Sequence, residues 1–209
     1  MEMDNILSSG EIDDLALWNL LIKGDQKALE ILYQKYYSLL LNYGLKCNPN
    51  KDLIKDCIQD LFVNLYQNSS VKTDNITVRS YLLKALRNNL LYKLSSQKEE
   101  NSLDESVFHI PENEDLFEQL FPKNDQDVLL ARRLMDAISQ LTPNQKSVLY
   151  LRYVKELSYK EIADVMDMNV QSSMNLANRA LTKLRSLIGQ DEHLLGLWQL
   201  LIIKMVLSL

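Results

Sequence analysis

The chain has 209 residues, of which 46% are hydrophobic and 24% charged, and its formal net charge is −5. The length permits one domain or two small ones, and five Gly with four Pro favour an all-helical protein. Cys47, Cys57 and the two His form no metal-ligand pattern, which excludes a metal cluster, and Met1 to Gly10 lacks the apolar core of a signal peptide.

Residues 1–97 are predicted to form one helical domain, because apolar residues recur there at helical spacing. Gly24 is suited to ending a helix and Asp25 to capping the next. The apolar runs span Leu15 to Leu45, Asp52 to Tyr66 and Val78 to Leu94, and further breaks fall at Asn48-Pro49-Asn50 and at Asn68 to Thr77. The third run has as its buried stripe Leu82, Leu83, Leu86, Leu90, Leu91 and Leu94.

Residues 98–127 are predicted to be a linker, because the helical periodicity stops and acidic residues accumulate. This segment carries ten acidic and two basic side chains, and their mutual repulsion favours an extended chain. A solvated spacer is the simple alternative to a functional linker. By contrast, residues 128–190 carry nine basic and five acidic side chains, so the net negative charge does not exclude binding to nucleic acid.

The second predicted domain, residues 128–190, contains three strong helix-start signals. Thr142-Pro143-Asn144-Gln145 and Ser158-Tyr159-Lys160-Glu161 both have the residues of a capping box. Asn169 follows a break at Asp167-Met168 and can cap a helix that runs to about Ile188. Two helices separated by a tight turn predict a helix-turn-helix.

The predicted helix-turn-helix has one apolar and one polar face. We expect its inner face to comprise Ile162, Ala163, Val165, Met166, Met174, Ala177, Leu181 and Leu184. Its outer face offers side chains that hydrogen-bond to base edges or phosphates: Gln171, Ser172, Asn175, Asn178, Arg179 and Lys183. A helical hairpin with a merely solvated polar face would show the same spacing.

Three strings in this domain resemble region 4 of the sigma-70 family: Leu141-Thr142-Pro143-Asn144-Gln145, Tyr159-Lys160-Glu161-Ile162-Ala163 and Arg179-Ala180-Leu181-Thr182-Lys183-Leu184-Arg185. In that family the domain reads the −35 promoter element and touches the flap of RNA polymerase. The resemblance implies DNA contacts from Gln171, Ser172, Ser173, Asn175, Asn178, Arg179 and Lys183. Asp167 stands where the family often has Gly, and Met174 where it often has a basic residue.

The first domain resembles region 2 of the same family. The match begins at Gly24-Asp25-Gln26-Lys27-Ala28-Leu29 and continues through Leu32-Tyr33 and Tyr36. The string from Asp56 to Phe62 is similar to the helix that docks on the polymerase clamp, which implies polymerase contacts from Asp56, Gln59, Asp60 and Phe62. The three polar residues share one helix face, although Phe62 would more ordinarily belong to a core.

The segment from Tyr81 to Asn89 resembles the part of region 2 that captures the unpaired −10 strand. Capture of a single strand needs positive charge, aromatic platforms and hydrogen-bonding side chains. The candidates are Lys72, Arg79, Lys84, Arg87, Asn88 and Tyr92, whereas core packing is favoured for Tyr81. Ser95 and Ser96 stand where the family has basic residues, so phosphate contacts are expected to be fewer there, or to come from Lys93 and Lys98.

Together these strings predict an all-α protein of two small helical domains, joined by an acidic linker, that is similar to the extracytoplasmic-function (ECF) sigma factors. The resemblance implies a cytoplasmic protein that binds core RNA polymerase at its clamp and flap, promoter DNA and an anti-sigma factor. We expect no catalysis, cofactor, metal or small-molecule substrate. The alternatives are a dimeric helix-turn-helix regulator that does not bind core polymerase and an interaction protein that does not touch DNA.

The final segment, residues 191–209, is almost wholly apolar from Leu194 onward. It is shorter than the roughly 20 residues that span a bilayer. We expect it either to fold back onto the second domain or to dock on an anti-sigma factor or a dimer partner. If it covered the DNA-reading face, it would inhibit DNA binding.

Overall fold

The computed structural model describes residues 13–67, 76–97, 133 and 135–188, and all regular elements in these residues are helical. Contacts between Cα atoms divide the chain into two compact units, Met1–Glu105 and Ser106–Leu209. The predicted linker, the tail and most of the polar loop before Thr77 lie outside the described residues. Within the described part, no helix is long and apolar enough to cross a membrane.

The first unit contains four described helices, and each begins at a polar residue that accepts hydrogen bonds from the first turn. They are α1 (Asp14–Leu21), α2 (Gln26–Cys47), α3 (Lys51–Gln67) and α4 (Val78–Gln97). The side chains that accept these bonds belong to Asp13, Asp25, Asn50 and Thr77. Gly24, between α1 and α2, has a φ of 88°, which favours glycine. The predicted break and cap at Gly24-Asp25 are therefore confirmed.

The four helices enclose one apolar core. Helix α1 packs on α2 and α4, and α2 and α3 also pack on each other and on α4. The largest fully buried side chains are Trp18, Tyr43, Leu17, Leu21, Leu32, Leu40, Ile54, Ile58, Leu82, Leu83, Leu86 and Leu90. The predicted stripe of α4 is thus confirmed for four of its leucines, while Leu91 and Leu94 are half-buried.

Two contacts fix the position of α2. The Asp14 carboxylate accepts from Lys35 Nζ at 2.6 Å and from the Tyr36 hydroxyl, which ties α1 to α2. A Cβ added at Gly44 would lie 2.4 Å from Ile54 Cγ2, so α2 and α3 approach closely at this point. Only glycine allows that approach without a shift of the neighbouring side chain.

The second unit contains α5 (Pro143–Leu149), a π-helical turn (Tyr150–Val154), α6 (Tyr159–Met166) and α7 (Val170–Ile188), preceded by a short helical segment at 135–139. Both predicted capping boxes are present, Thr142 with Gln145 and Ser158 with Glu161. Helix α7 packs on α5 and α6. The caps therefore set where the helices begin, and the apolar face of α7 joins them into one bundle.

Candidate DNA- and polymerase-binding surfaces

Helices α6 and α7 form a helix-turn-helix with a three-residue turn, Asp167 to Asn169. Asp167 has φ 55° and ψ 52°, the left-handed conformation that Asp tolerates better than most residues. The Met168 amide donates to the Ala163 carbonyl at 3.0 Å, and the Asn169 side chain accepts from the Ser172 amide at 2.7 Å. The turn therefore ends one helix and caps the next, as the sequence predicts.

The inner face of this motif differs in part from the prediction. The residues predicted on α6 are all buried: Ile162, Ala163, Val165 and Met166. On α7, Ala177 and Leu184 are buried as predicted, but Met174 is exposed and Leu181 half-buried. Ser173 and Ala180 take the remaining inward positions. The apolar stripe predicted for α7 was therefore rotated away from the true packing face.

Ser173 corrects one predicted DNA contact. Its side chain is fully buried, and its hydroxyl lies 2.9 Å from the Tyr159 carbonyl and 2.8 Å from the Val170 carbonyl. A hydroxyl that donates to backbone carbonyls can occupy an interior site at little cost. Ser173 thus joins α7 to the start of α6 and does not face DNA.

The outer face of α7 presents a row of polar side chains at intervals of four residues: Gln171, Asn175 and Arg179. Gln171 Nε2 donates to Asn175 Oδ1 at 3.1 Å, and Arg179 Nε donates to the Asn175 carbonyl at 3.3 Å. Asn178 is exposed beside this row. Such amides and guanidinium groups hydrogen-bond to adenine and guanine edges in the major groove. The intrahelical bonds hold the row in a defined arrangement.

The remaining predicted contacts on α7 lie on its flank. Ser172 is half-buried at the first turn. The Lys183 ammonium donates to the Gln140 carbonyl at 2.6 Å, at the end of the short helical segment 135–139. A cation at a helix C-terminus interacts favourably with the helix dipole. Lys183 therefore links α7 to this short segment, and its contact with DNA stays a prediction.

A second polar row runs along α4, where Lys84, Asn88 and Tyr92 recur every four residues. Tyr92 is 75% exposed and Asn88 is exposed, which leaves an aromatic ring and an amide open to a ligand. The flanking Arg79 and Arg87 are half-buried, and Lys72 lies outside the described residues.

Tyr81 is half-buried, and its ring packs against the core and not along this row. Its ring packs edge-on against Trp18, with centroids 5.0 Å apart and planes at 67°. Burial raises the pKa of its phenol. The preference for core packing at Tyr81 is therefore confirmed.

The exposed face of α3 carries the predicted polymerase contacts Asp56, Gln59 and Asp60. Asp60 pairs with Lys93 Nζ of α4 at 2.6 Å, and this hydrogen bond raises the pKa of Lys93. Phe62 corrects the prediction, because it is 4% exposed and packs edge-on against Tyr33, with ring centroids 5.1 Å apart. Its ring stabilises the contact between α2 and α3.

Sequence reasoning assigned no surface role to a group of apolar side chains beside this face. Tyr33, Val63 and Tyr66 are exposed, and the rings of Tyr33 and Tyr37 lie 5.3 Å apart. The signal that could have found them is their spacing, because Tyr33 and Tyr37 are four residues apart on α2 and Val63 follows Gln59 by four on α3. The exposed face of α3 thus carries the apolar side chains of Val63 and Tyr66 alongside its polar ones.

Neither cysteine is exposed. Burial raises the pKa of the Cys47 thiol to about 12 and also raises the pKa of Cys57. Both thiols therefore stay protonated at neutral pH, as structural cysteines do. Among the described residues, no group of three or more His, Cys, Asp or Glu is arranged to hold a metal ion.

Two family models match the chain, and together they cover more than half of it. The model described as Sigma-70 region 2 matches residues 32–100, and the one described as Sigma-70, region 4 matches residues 131–184. The ECF RNA polymerase sigma factor SigM of Bacillus subtilis (strain 168) is 24% identical over 165 residues, which are 79% of this chain and 98% of that protein.

Two further relatives match over similar lengths. The RNA polymerase sigma factor YlaC of the same strain is 25% identical over 76% of this chain and 90% of its own. The ECF RNA polymerase sigma-E factor of Haemophilus influenzae (strain ATCC 51907 / DSM 11121 / KW20 / Rd) is 25% identical over 75% of this chain and 85% of its own.

A solved structure, that of CnrH in complex with the cytosolic domain of CnrY, has a similar fold. It aligns with a TM-score of 0.55 and 19% identity, over 87% of this chain and 99% of CnrH. The region 2 and region 4 matches, the ECF relatives and the all-helical fold agree with one another. The chain belongs to the sigma-70 family of RNA polymerase sigma factors, in its extracytoplasmic-function group.

Proposed function

We propose that this protein is a sigma factor that binds core RNA polymerase and directs promoter-specific initiation of transcription. The observation that carries the proposal is the pairing, in one chain, of a helix-turn-helix with a polar outer row and a region 2 bundle with its own polar and aromatic row. One surface suits duplex DNA and the other suits a single strand.

Helix α7 would read the −35 element in the major groove. Gln171, Asn175 and Asn178 are amides that can bond to adenine, and Arg179 can bond to guanine or phosphate. The N-terminal part of a recognition helix contacts base edges, which is where Gln171 and Asn175 lie. We assign base contacts to these two residues first and assign Ser172 to a phosphate.

Helix α4 would hold the unpaired −10 strand. Tyr92 supplies an exposed ring on which a base can stack, and such stacking contributes about 1–3 kcal/mol per base. Asn88 supplies hydrogen bonds to a flipped base, and Lys84 and Arg87 supply positive charge along the strand. Residues 1–97 would thus serve the −10 element and residues 128–190 the −35 element.

The exposed face of α3 would dock on the polymerase clamp, and the second domain would touch the flap. Of the three exposed residues predicted to contact polymerase, Asp60 is paired with Lys93, so we assign the contact first to Asp56 and Gln59. The acidic segment 98–127 would connect the two domains through the polymerase channel. Because its partners are core polymerase and promoter DNA, we place the protein in the cytoplasm, acting by binding and not by catalysis.

An anti-sigma factor is a further expected partner. The related CnrH was solved in complex with the cytosolic domain of CnrY. A dimeric helix-turn-helix regulator is not favoured, because the region 2 match at residues 32–100 would then have no role.

In vitro transcription with core polymerase on a genomic library, followed by sequencing of transcript starts, tests the proposal. We expect transcripts that share two upstream elements. Asn175→Ala should weaken use of the −35 element, and Tyr92→Ala should weaken opening at the −10 element. Gln34→Ala, which removes another exposed amide, serves as the control. Failure of the chain to bind core polymerase in a pull-down would refute the proposal and favour the regulator.

A further inference from the structure

Helix α7 carries an apolar flank that the described residues leave uncovered. Val170, Met174 and Leu181 recur at intervals of four and seven residues, so they share one side of the helix. Val170 is 43% and Met174 37% exposed, and Leu181 is half-buried. The large exposed apolar residues in the described part of the second unit, Val170, Met174 and Leu187, all lie on α7. The apolar arc of this helix is therefore wider than the face that α5 and α6 cover.

The chain continues beyond α7 with a segment that matches this flank in chemistry. Of the 16 residues from 194 to 209, 12 are large and apolar. Such a segment needs an apolar surface to bury it. The five residues before it are Gly189, Gln190, Asp191, Glu192 and His193. Gly189 directly follows Ile188, the last residue of α7, and Gly is the residue that most often follows the end of a helix.

The lengths also match. In helical form 16 residues extend about 24 Å, and the distance along α7 from Val170 to Leu187 is about 26 Å. Five linking residues can span up to about 17 Å, which exceeds the 8–10 Å or so between the axes of packed helices. A return of the chain along α7 is therefore feasible without a shift of the described helices.

We propose that residues 194–209 dock in an antiparallel direction on the flank of α7 formed by Val170, Met174 and Leu181. This contact has a regulatory consequence, which rests on the proposed function. Met174 is next in sequence to Asn175 and lies beside the row that would read bases. A docked tail narrows access to that row, so the protein binds a −35 duplex more weakly until polymerase or another partner displaces the tail.

The docking itself is tested without DNA, by the rate at which a maleimide modifies Met174→Cys in the full chain. Two altered chains, which also carry Met174→Cys, serve as comparisons. One lacks residues 190–209, and the other keeps the tail but carries Leu200→Asp and Leu201→Asp. We expect modification to be about tenfold faster in both altered chains, since a docked segment limits reaction to its open fraction. Cys47 and Cys57 contribute little background at pH 7, because their pKa values are raised.

Lys160→Cys provides the matched control, because Lys160 is exposed on α6, and its rate should be equal in all three chains. Equal rates at Met174→Cys would overturn the proposal. Protection that disappears on dilution would also overturn it, because it would identify a second copy as the occupant. Tighter binding of a −35 duplex by the tail-deleted chain would then support the regulatory consequence. If protection is seen but no promoter is bound, the docking stands and the proposed function fails.

Discussion

Ser173 and Asn175 are two positions apart on α7, yet the structure places them in opposite environments. Ser173 is fully buried and bonds to the Tyr159 carbonyl of α6, while Asn175 is exposed on the outer row. We predict that Ser173→Ala changes stability but not intrinsic DNA affinity, and that Asn175→Ala changes DNA affinity but not stability. The pair tests the rotational register of the recognition helix.

The magnitudes follow from the two environments. Ser173→Ala removes one buried hydrogen bond, which costs about 1 kcal/mol of unfolding free energy, or about fivefold in the population of open states. Ser173→Val also adds methyl groups to a closed site and should cost about 2–4 kcal/mol. Asn175→Ala removes only an exposed side chain, so stability should change by less than about 0.5 kcal/mol. Loss of a bidentate base contact should weaken promoter binding by about 1–3 kcal/mol.

Hydrogen–deuterium exchange with mass spectrometry on the full chain measures the first effect locally. Amides in α6 and α7 should exchange about fivefold faster in Ser173→Ala, and those of the first unit should not change. Promoter affinity is measured with the holoenzyme on a fragment recovered by the transcription experiment. If Ser173→Ala weakened promoter binding as Asn175→Ala does and left exchange unchanged, the register described for α7 would be wrong.

Three further predictions concern the frame that holds these surfaces. Gly44→Ala should destabilise the first unit by about 1–2 kcal/mol despite the better helix propensity of Ala, because the added Cβ meets Ile54. The effect should be smaller when Ile54 is also replaced by Ala. Denaturation followed by Trp18 fluorescence, in a Trp198→Phe background, measures both effects. Cys47 has a pKa raised from 9.0 to about 12, so its contribution to stability is complete below pH 9 and is lost as the pH rises toward 12. Cys47→Ala should therefore flatten the alkaline part of the stability profile, whereas an unchanged profile would exclude this thiol as the cause. Asp167→Val should destabilise α6 and α7 by about 1–2 kcal/mol because of its positive φ, and Asp167→Asn should be nearly neutral by thermal denaturation.

The sequence predicted the ends of helices better than their rotation. Caps depend on residues that are adjacent in the chain, so Thr142, Ser158 and Asn169 signalled the starts of α5, α6 and α7 without reference to the fold. The same holds for the helix break at Gly24. Helical periodicity also predicted the buried side of α4 correctly, because four successive leucines of one stripe define a single side of the helix.

The rotation of α7 was harder to predict because its apolar residues are spread over a wide arc. Met174 and Leu181 lie on one edge of that arc, so a stripe chosen by hydrophobicity alone included them and omitted Ser173. Ser173 is interior only because two carbonyls stand within reach of its hydroxyl, and no local pattern in the sequence reveals such partners. The hydrogen bond of Lys183 could not be predicted for a related reason, since its partner Gln140 is 43 residues away in the chain.

The ion pair between Asp60 and Lys93 changes how both surfaces of the first unit should be understood. It takes one acid from the α3 face and one cation from α4, with the two charged atoms 2.6 Å apart. Both side chains are partly exposed, so the pair contributes little to stability, on the order of 1 kcal/mol or less. Its larger effect is that each surface carries less free charge than the sequence suggests. Under the proposed function, we therefore expect recognition of polymerase and of the −10 strand to depend more on Gln59, Asn88 and Tyr92 than on salt-sensitive attraction.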